Sequence, residues 1–467
     1  MTIDAGQIPL PQAGPGRPGG RGENERPRVL VIGGGFAGLN AALELSRHPV
    51  DVTLVDRRNH HTFQPLLYQV ALAVLSPANI AQPIRSILAG RKNVEVLMEE
   101  ALSLDLAARQ VLLRSGAQIG YDYLILATGA THSYFGHDDW AGPAPGLKTI
   151  EDAIEIRRRV LLAFELAERE MAETGVHPEL NFVIIGGGAT GVELAGAIAE
   201  TSKIFLRRNF RRIDPTKAKV VILEGGPRIL AAYPPDLSEK AVRELGRLGV
   251  EVRTSVHVTD VQPGYVVAGG VRRNAVVTLW AAGVRASALG VALGTPLDKR
   301  GCVPVNSHLN PAGHPEIFVC GDLAHVEENG RLLLGVAQPA IQMGRYAART
   351  IAGDLAGRPR RDFHYFDKGD MATIGRRSAV ADVKWPFRAH LSGWPGWITW
   401  LAVHLYFLVG FRNRVAVVSE WAWTYLTFNR GARLITGDQS LPGWEEQPGV
   451  RSAAAAPETS RQPPLHK

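Results

Sequence analysis

The sequence predicts an α/β protein with two Rossmann-like dinucleotide-binding domains followed by an amphipathic helical C-terminal region. Three features predict this class: a glycine-rich strand–turn–helix near the N-terminus, a second copy 153 residues later, and an uncharged stretch, Trp394 to Phe411, that leads into a one-sided apolar pattern.

A chain of 467 residues exceeds one ordinary core and implies two or three domains, each able to enclose a ligand-sized cavity. With 45% hydrophobic and 21% charged residues it is globular, and 50 glycines and 30 prolines imply many tight turns. Residues 1–27 and 441–467 have the composition of disordered tails, and the first lacks the apolar core of a secretory signal. Only Cys302 and Cys320 are present, so an intracellular, reduced protein is expected. The formal charge of +7 suits nucleic acid or an anionic lipid surface. No nucleic-acid motif accompanies it, and the basic residues between Trp394 and Arg433 favour lipid.

The first ordered segment, "PRVLVIGGGFAGLNAALELSRHPVDVTLVDRRNH", is a complete βαβ dinucleotide fingerprint. Gly33 permits the turn, Gly35 lets backbone approach a pyrophosphate, Gly38 lets helix and strand pack, and Asp56 ends the second strand as a ribose acceptor. The helix start supplies free N–H donors to the phosphates. The motif returns as "LNFVIIGGGATGVELAGAIAE", with Gly186, Gly188 and Gly191, and "AKVVILEG" ends its second strand at Glu224. Here "TSKIFLRRNFRRIDPTK" lengthens the crossover beyond the usual spacing. An acid at that strand end favours a free ribose hydroxyl, hence NADH over NADPH. "YDYLILATGA" and "AVVTLWAAGV" each place a strand before a small-residue turn, and "HPEIFVCGDLAH" places a third before Gly321-Asp322.

In this arrangement the chain resembles the two-dinucleotide-binding-domain flavoproteins. The resemblance implies an FAD domain in two parts, 28–150 and 305–365, an inserted NADH domain at 151–304, and Asp322 at the flavin ribityl chain. Cys302 and Cys320 form no Cys-x-x-Cys pair, which excludes disulfide reduction, and the scattered histidines, with His60 and His61 adjacent, suggest no metal site.

"NHHTFQPLLYQVA", "GVAQPAIQMGRYAA" and a C-terminal region beginning "VADVKWPF" narrow the resemblance to type II NADH dehydrogenases, single-subunit NADH:quinone oxidoreductases of respiratory membranes, over about Pro27 to Asp438. It implies bound FAD, NADH as donor, menaquinone or ubiquinone as acceptor, hydride transfer without proton pumping, a homodimer, and a peripheral place on the cytoplasmic face of the plasma membrane. The expected FAD-side residues are Gly33, Gly34, Gly35, Phe36, Ala37, Gly38, Asp56, Arg57, Ala101, Thr128, Gly129, Asp322, Ala340, Ile341 and Lys384. Those of the NADH side are Gly186, Gly188, Gly191, Glu224 and Gly283. Glu193 and Gln338 are the expected catalytic residues, and Gln338, Gln342 and Lys384 the quinone contacts. A ferredoxin-type NADH reductase and a non-catalytic NADH-sensing membrane flavoprotein are the rival readings.

The run Trp394–Phe411 has the length of a membrane span, yet Pro395 and Gly396 are expected to break its start and Thr399 and His404 to interrupt it. Trp394, Trp397, Trp400 and Tyr406 are scattered and form no end belts. In the next segment Val418, Trp421, Ala422, Tyr425 and Phe428 share one helical face, and Ser419, Glu420, Thr424 and Thr427 another. Residues 366–440 are therefore read as a region whose helices lie on the membrane, with Arg412, Arg414, Arg430 and Arg433 on lipid headgroups, and the family resemblance implies that it also contributes to a dimer.

Overall fold

The computed structural model describes residues 26–427, apart from Asn329 and Leu334, together with 432–437 and 440–442. Phe428, Arg430 and the bulk of both expected tails lie outside the described residues. Leu441, placed in a tail by its composition, is instead 2% exposed and packs with Pro442 against Pro143 and Arg159.

Two parallel sheets organise the chain. The first has the order Ile317–Val319, Tyr123–Leu126, Arg28–Ile32, Asp51–Asp56, Val94–Met98. Its strands are short continuous apolar runs such as "RVLVI", buried from Val29 onward, as expected of parallel strands covered on both faces. The second has the order Val250–Arg253, Lys219–Leu223, Asn181–Ile185, Val277–Trp280. Each is accompanied by a three-stranded antiparallel meander, at 101–120 and 258–274. The chain passes from the first sheet to the second through Ala130–His132 and comes back through Val284–Ala286. These two segments pair antiparallel before Ile317–Val319 rejoins the first sheet at its edge.

A third module follows. Strands Gly369–Thr373, Ala379–Val383 and Ala389–Ser392 form an antiparallel sheet against helix Ala189–Glu200 of the second unit. A Cβ at Gly196 would come within 3.2 Å of the Gly375 nitrogen, so the two backbones approach closely there. Helix Gly393–Phe407 packs on the middle strand, and helix Phe411–Thr427 folds back after a turn at Gly410, φ +86°.

Pro395 and Gly396 do not break this helix. Both sit in its first turn, where proline's missing N–H costs nothing, and Gly396 allows contact, since a Cβ there would lie 2.6 Å from the Ala379 carbonyl. Nor do Thr399 and His404 interrupt it. Thr399 Oγ1 donates to the Pro395 carbonyl, and His404 Nδ1 bonds the Trp400 carbonyl at 2.7 Å while burial pushes its pKa down to about 4. Trp400 is 1% exposed, stacked on His404 and edge-on to Tyr68, and is a core residue.

The faces of the last helix also differ from expectation. Val417, Trp421 and Thr424 point inward, with Tyr425 half-buried, whereas Val418 and Ala422 are exposed. Consequently Phe411, Val415, Val418, Ala422 and Leu426 form an exposed apolar stripe, and Trp394, Ile398, Ala402 and Tyr406 form a second on the preceding helix. No helix among the described residues is long and apolar enough to cross a membrane.

Candidate active site

The two glycine turns are near-superimposable in their chemistry. Gly33 has φ +102° and Gly186 φ +109°, and a Cβ at either would strike the backbone of the neighbouring strand's loop, at Ala127 or Ala281. A Cβ on Gly38 would lie 1.8 Å from the Gly33 carbonyl, and one on Gly191 2.0 Å from that of Gly186. Gly35 and Gly188 start the helices Phe36–Leu45 and Ala189–Glu200, and a Cβ on either would meet nothing within 4 Å. Open space in front of helix N-termini is what a pyrophosphate requires.

Asp56 and Glu224 hold equivalent places despite the longer second crossover. Asp56 accepts from the Gly34 and Arg58 N–H groups at 2.6 and 2.7 Å, and Glu224 from Gly187 and Gly226, both at 2.6 Å. Each carboxylate thus braces the glycine turn as well as standing at the strand end. His61, missed in the sequence because its partner lies 27 residues away, also braces the first turn: it is buried, and its Nδ1 lies 3.0 Å from the Gly34 carbonyl.

Other expected residues gather round the first turn. Thr128 and Gly129, φ +68°, border it, and Thr128 Oγ1 is buried without a partner among the described residues. Gly283, φ +96°, occupies the matching loop of the second unit. Gly321-Asp322 forms a tight turn in which Asp322 faces Lys148 Nζ at 3.5 Å. Lys148 gave no sequence signal. Helix Ala337–Leu355 crosses helix Phe36–Leu45 in close contact, a Cβ at Gly344 falling 2.1 Å from the Ala37 carbonyl, which brings Ala340 and Ile341 beside Phe36 and Ala37. Arg57 is mostly exposed, 4.0 Å from Glu100, and Ala101 begins the adjoining meander.

Glu193 lies on the first turns of helix Ala189–Glu200, where its Oε1 accepts weakly from the Thr373 N–H at 3.5 Å. Burial pushes its pKa up to about 8, against the lowering effect of that hydrogen bond, so the carboxyl is protonated at neutral pH. Thr373 Oγ1 shares a 2.9 Å bond with Tyr68 OH, Gln69 Nε2 donates to Tyr68 OH, and Trp421 Nε1 donates to Gln69 Oε1. This network joins Glu193 to the C-terminal helices. Beside it lies a cavity of about 550 Å³, open solvent at its mouth included, lined by Tyr68, Thr373, Trp397, Trp400, Trp421 and Thr424 among others. Trp400 Nε1 and Thr424 Oγ1 are buried on its wall without partners among the described residues.

The amides divide. Gln342 engages the Phe366 backbone with both ends, donating to its carbonyl at 3.0 Å and accepting from its N–H at 2.9 Å, and so fastens the segment that leads into strand Gly369–Thr373. Gln338 donates to the Gly369 carbonyl at 3.0 Å, and its buried Oε1 stays open. The end left open is therefore an acceptor. Lys384 is held by Asp367 at 2.6 Å and Asp382 at 3.5 Å on the hairpin. Both cysteines are free and buried, and burial raises both thiols. No cluster suited to a metal occurs among the described residues.

Residues 27–344 match the pyridine nucleotide-disulphide oxidoreductase family and residues 368–430 the NDH2 C-terminal domain. The chain is 44% identical over 431 residues, 89% of its length and 92% of the relative's, to the type II NADH:quinone oxidoreductase Ndh of Mycobacterium tuberculosis. It is 43% identical over 453 residues to NdhA of the same organism, covering 93% of this chain and 92% of that one. The chain belongs to the type II NADH:quinone oxidoreductase family. Its fold matches NDH2 of Plasmodium falciparum in complex with NADH, TM-score 0.77 at 19% identity, covering 88% of this chain and all of that one.

The enzyme is thus an NADH:quinone oxidoreductase with FAD and NADH as its nucleotides, and both rival readings fall. The residues fit these groups: two open helix N-termini, two braced turns, and an orphaned Thr128 hydroxyl beside the first.

Proposed function

We propose that this enzyme works at a membrane surface without pumping protons, taking electrons from NADH in water and delivering them to a bilayer quinone of a respiratory chain. The observation that carries the proposal is the continuity between the exposed apolar stripes, the cavity behind them, and the Tyr68–Thr373–Glu193 network. The stripes of the two C-terminal helices rest in the interface plane, on the cytoplasmic face where NADH is found, with Arg412 toward headgroups, while Arg414, expected there too, donates instead to the Leu408 and Tyr406 carbonyls at 2.8 Å. In this reading a dimer partner covers part of the same module. The first turn holds FAD, with Asp56 near its ribose and Asp322 near its ribityl chain. The second holds NADH, with Glu224 at the adenosine ribose.

When bound, the flavin accepts a hydride from NADH and returns two electrons to the quinone. The chain supplies orientation, dryness and a proton. Glu193, protonated at neutral pH, donates toward a quinone oxygen, and Gln338 Oε1 accepts from the hydroxyl that results. Trp400 Nε1 and Thr424 Oγ1 present donors to the entering carbonyls. Lys384 keeps the hairpin's aspartates compensated and so holds Gly369 where Gln338 needs it.

The test is sequential mixing of the purified enzyme with NADH and then with menaquinone or ubiquinone in vesicles, following flavin absorbance. Bleaching by NADH and recovery with quinone are expected. Recovery only with a ferredoxin would overturn the proposal.

A further inference from the structure

The insertion that lengthens the second crossover has no part in either nucleotide site. It begins as a single π-helical turn, Thr201–Phe205, and ends in an exposed bend carrying Arg207, Arg208, Arg211 and Arg212 within six residues. The bend is held in shape by Glu168, whose carboxylate accepts from the backbone N–H groups of Arg211, Arg212 and Ile213 at 2.9 to 3.1 Å. Among the described residues none of the four guanidinium groups comes within 4.0 Å of a carboxylate oxygen, and only Arg212 adds its charge to the hold on Glu168. Four like charges so concentrated repel one another, and a polyanionic surface relieves that repulsion.

Its position identifies the surface. Arg376 lies over the Phe205 ring, 6.0 Å from its centroid, and also over the ring of Tyr425 at 4.4 Å, while its Nη2 donates to the Thr424 carbonyl at 3.0 Å. With its amide turned to satisfy its neighbours, Asn209 in the bend accepts from Arg433 at 2.8 Å. The bend therefore abuts the C-terminal end of helix Phe411–Thr427, where the exposed apolar stripe ends at Leu426, 81% exposed. An apolar stripe ending in a basic rim is the pattern of a surface that sits in lipid among anionic headgroups.

We propose that the Arg207–Arg212 bend is a second, electrostatic membrane contact, a foot on the NADH-binding unit that selects anionic phospholipid. This rests on the reading that the C-terminal stripes lie on the bilayer. The foot fixes the rotation of the whole enzyme about the C-terminal helices, since stripe and bend belong to different modules.

The experiment is co-sedimentation of the full-length FAD-loaded enzyme with vesicles of phosphatidylcholine alone or with added phosphatidylglycerol, at several salt concentrations. Each basic residue near an anionic surface contributes about fivefold in partitioning, and four on one bend do not all reach headgroups together. Replacing all four arginines by glutamine should lower binding to anionic vesicles about 25-fold and flatten its salt dependence, and leave binding to neutral vesicles and turnover with a water-soluble quinone unchanged. Arginine-to-lysine replacement at the same four positions should restore anionic binding. Undiminished anionic binding in the glutamine variant would overturn the proposal, as would a changed oligomeric mass, which would give the bend to a second copy of the chain. A Val415→Ser/Val418→Ser variant separates the two ideas: if it binds neutral vesicles as well as the parent does, the anchoring reading fails.

Discussion

Replacing Glu193 by glutamine tests the site most directly, because the same carboxyl should control turnover and alkaline stability. Its pKa stands at about 8, against an ordinary value of 4.5. A raised folded pKa means that the folded protein holds the proton more tightly than the unfolded chain. Glu193 then costs nothing below pH ~4.5, and its penalty accrues from there up to about pH 8, above which both states are ionised and it stays constant. At ~1.4 kcal/mol per unit the full penalty is about 5 kcal/mol, and partial exposure of the side chain reduces this to roughly 2 to 3 kcal/mol. Glu193→Gln should therefore match the parent in thermal unfolding below pH ~4.5, exceed it increasingly up to about pH 8, and keep a constant lead above. In steady state with a soluble quinone the parent should lose activity above pH 8 as the acid is lost, and the variant should run about 100-fold slower with no such limb. Ferricyanide, which needs no proton, should restore most of its NADH oxidation. Equal turnover with quinone, or an alkaline limb kept in the variant, would refute proton donation and leave Glu193 a buried helix residue.

Gly191→Ala places a Cβ 2.0 Å from the Gly186 carbonyl, so it should abolish NADH oxidation with FAD still bound, measured by flavin absorbance in the purified variant. Glu224→Gln loses the charge that braces Gly187 and Gly226 and favours a free ribose, and kcat/KM for NADH should fall about tenfold while discrimination against NADPH narrows. Trp400→Phe removes an unpartnered donor from the cavity wall, so the quinone KM should rise about 5- to 10-fold with ferricyanide reduction intact.

The nucleotide sites were legible because their chemistry is local. A glycine in a left-handed turn, a second where phosphate approaches and a third where helix meets strand leave a fixed spacing in any sequence that builds them, and 33–35–38 and 186–188–191 show it twice. Even the long crossover before Glu224 misleads only in sequence, because the extra residues leave as the basic bend and the strand returns to the same register beside Asn181–Ile185. What spacing does not reveal is a brace. His61, Lys148 and Thr373 reach their partners across 27, 174 and 180 residues respectively, and nothing local marks them.

The C-terminal helices were legible as amphipathic but not as to which face turns inward, and the reason is physical. Periodicity ranks faces by polarity, and this helix has two apolar faces, one packed on the protein and one exposed. In helix Phe411–Thr427 the inner seam includes a threonine, Thr424, on the cavity wall, and the outer face carries Val418 and Leu426, which no described residue covers. The same logic reverses the reading of Pro395 and Gly396. A run that must pack on a strand at its start cannot carry bulk there, and the close approach at Ala379 depends on Gly396 having no side chain. Gly396→Leu should accordingly displace the helix start from the sheet and release Trp400 from its stack on His404. A red-shifted tryptophan emission together with loss of quinone turnover would show it, and native emission in that variant would mean that the contact is dispensable.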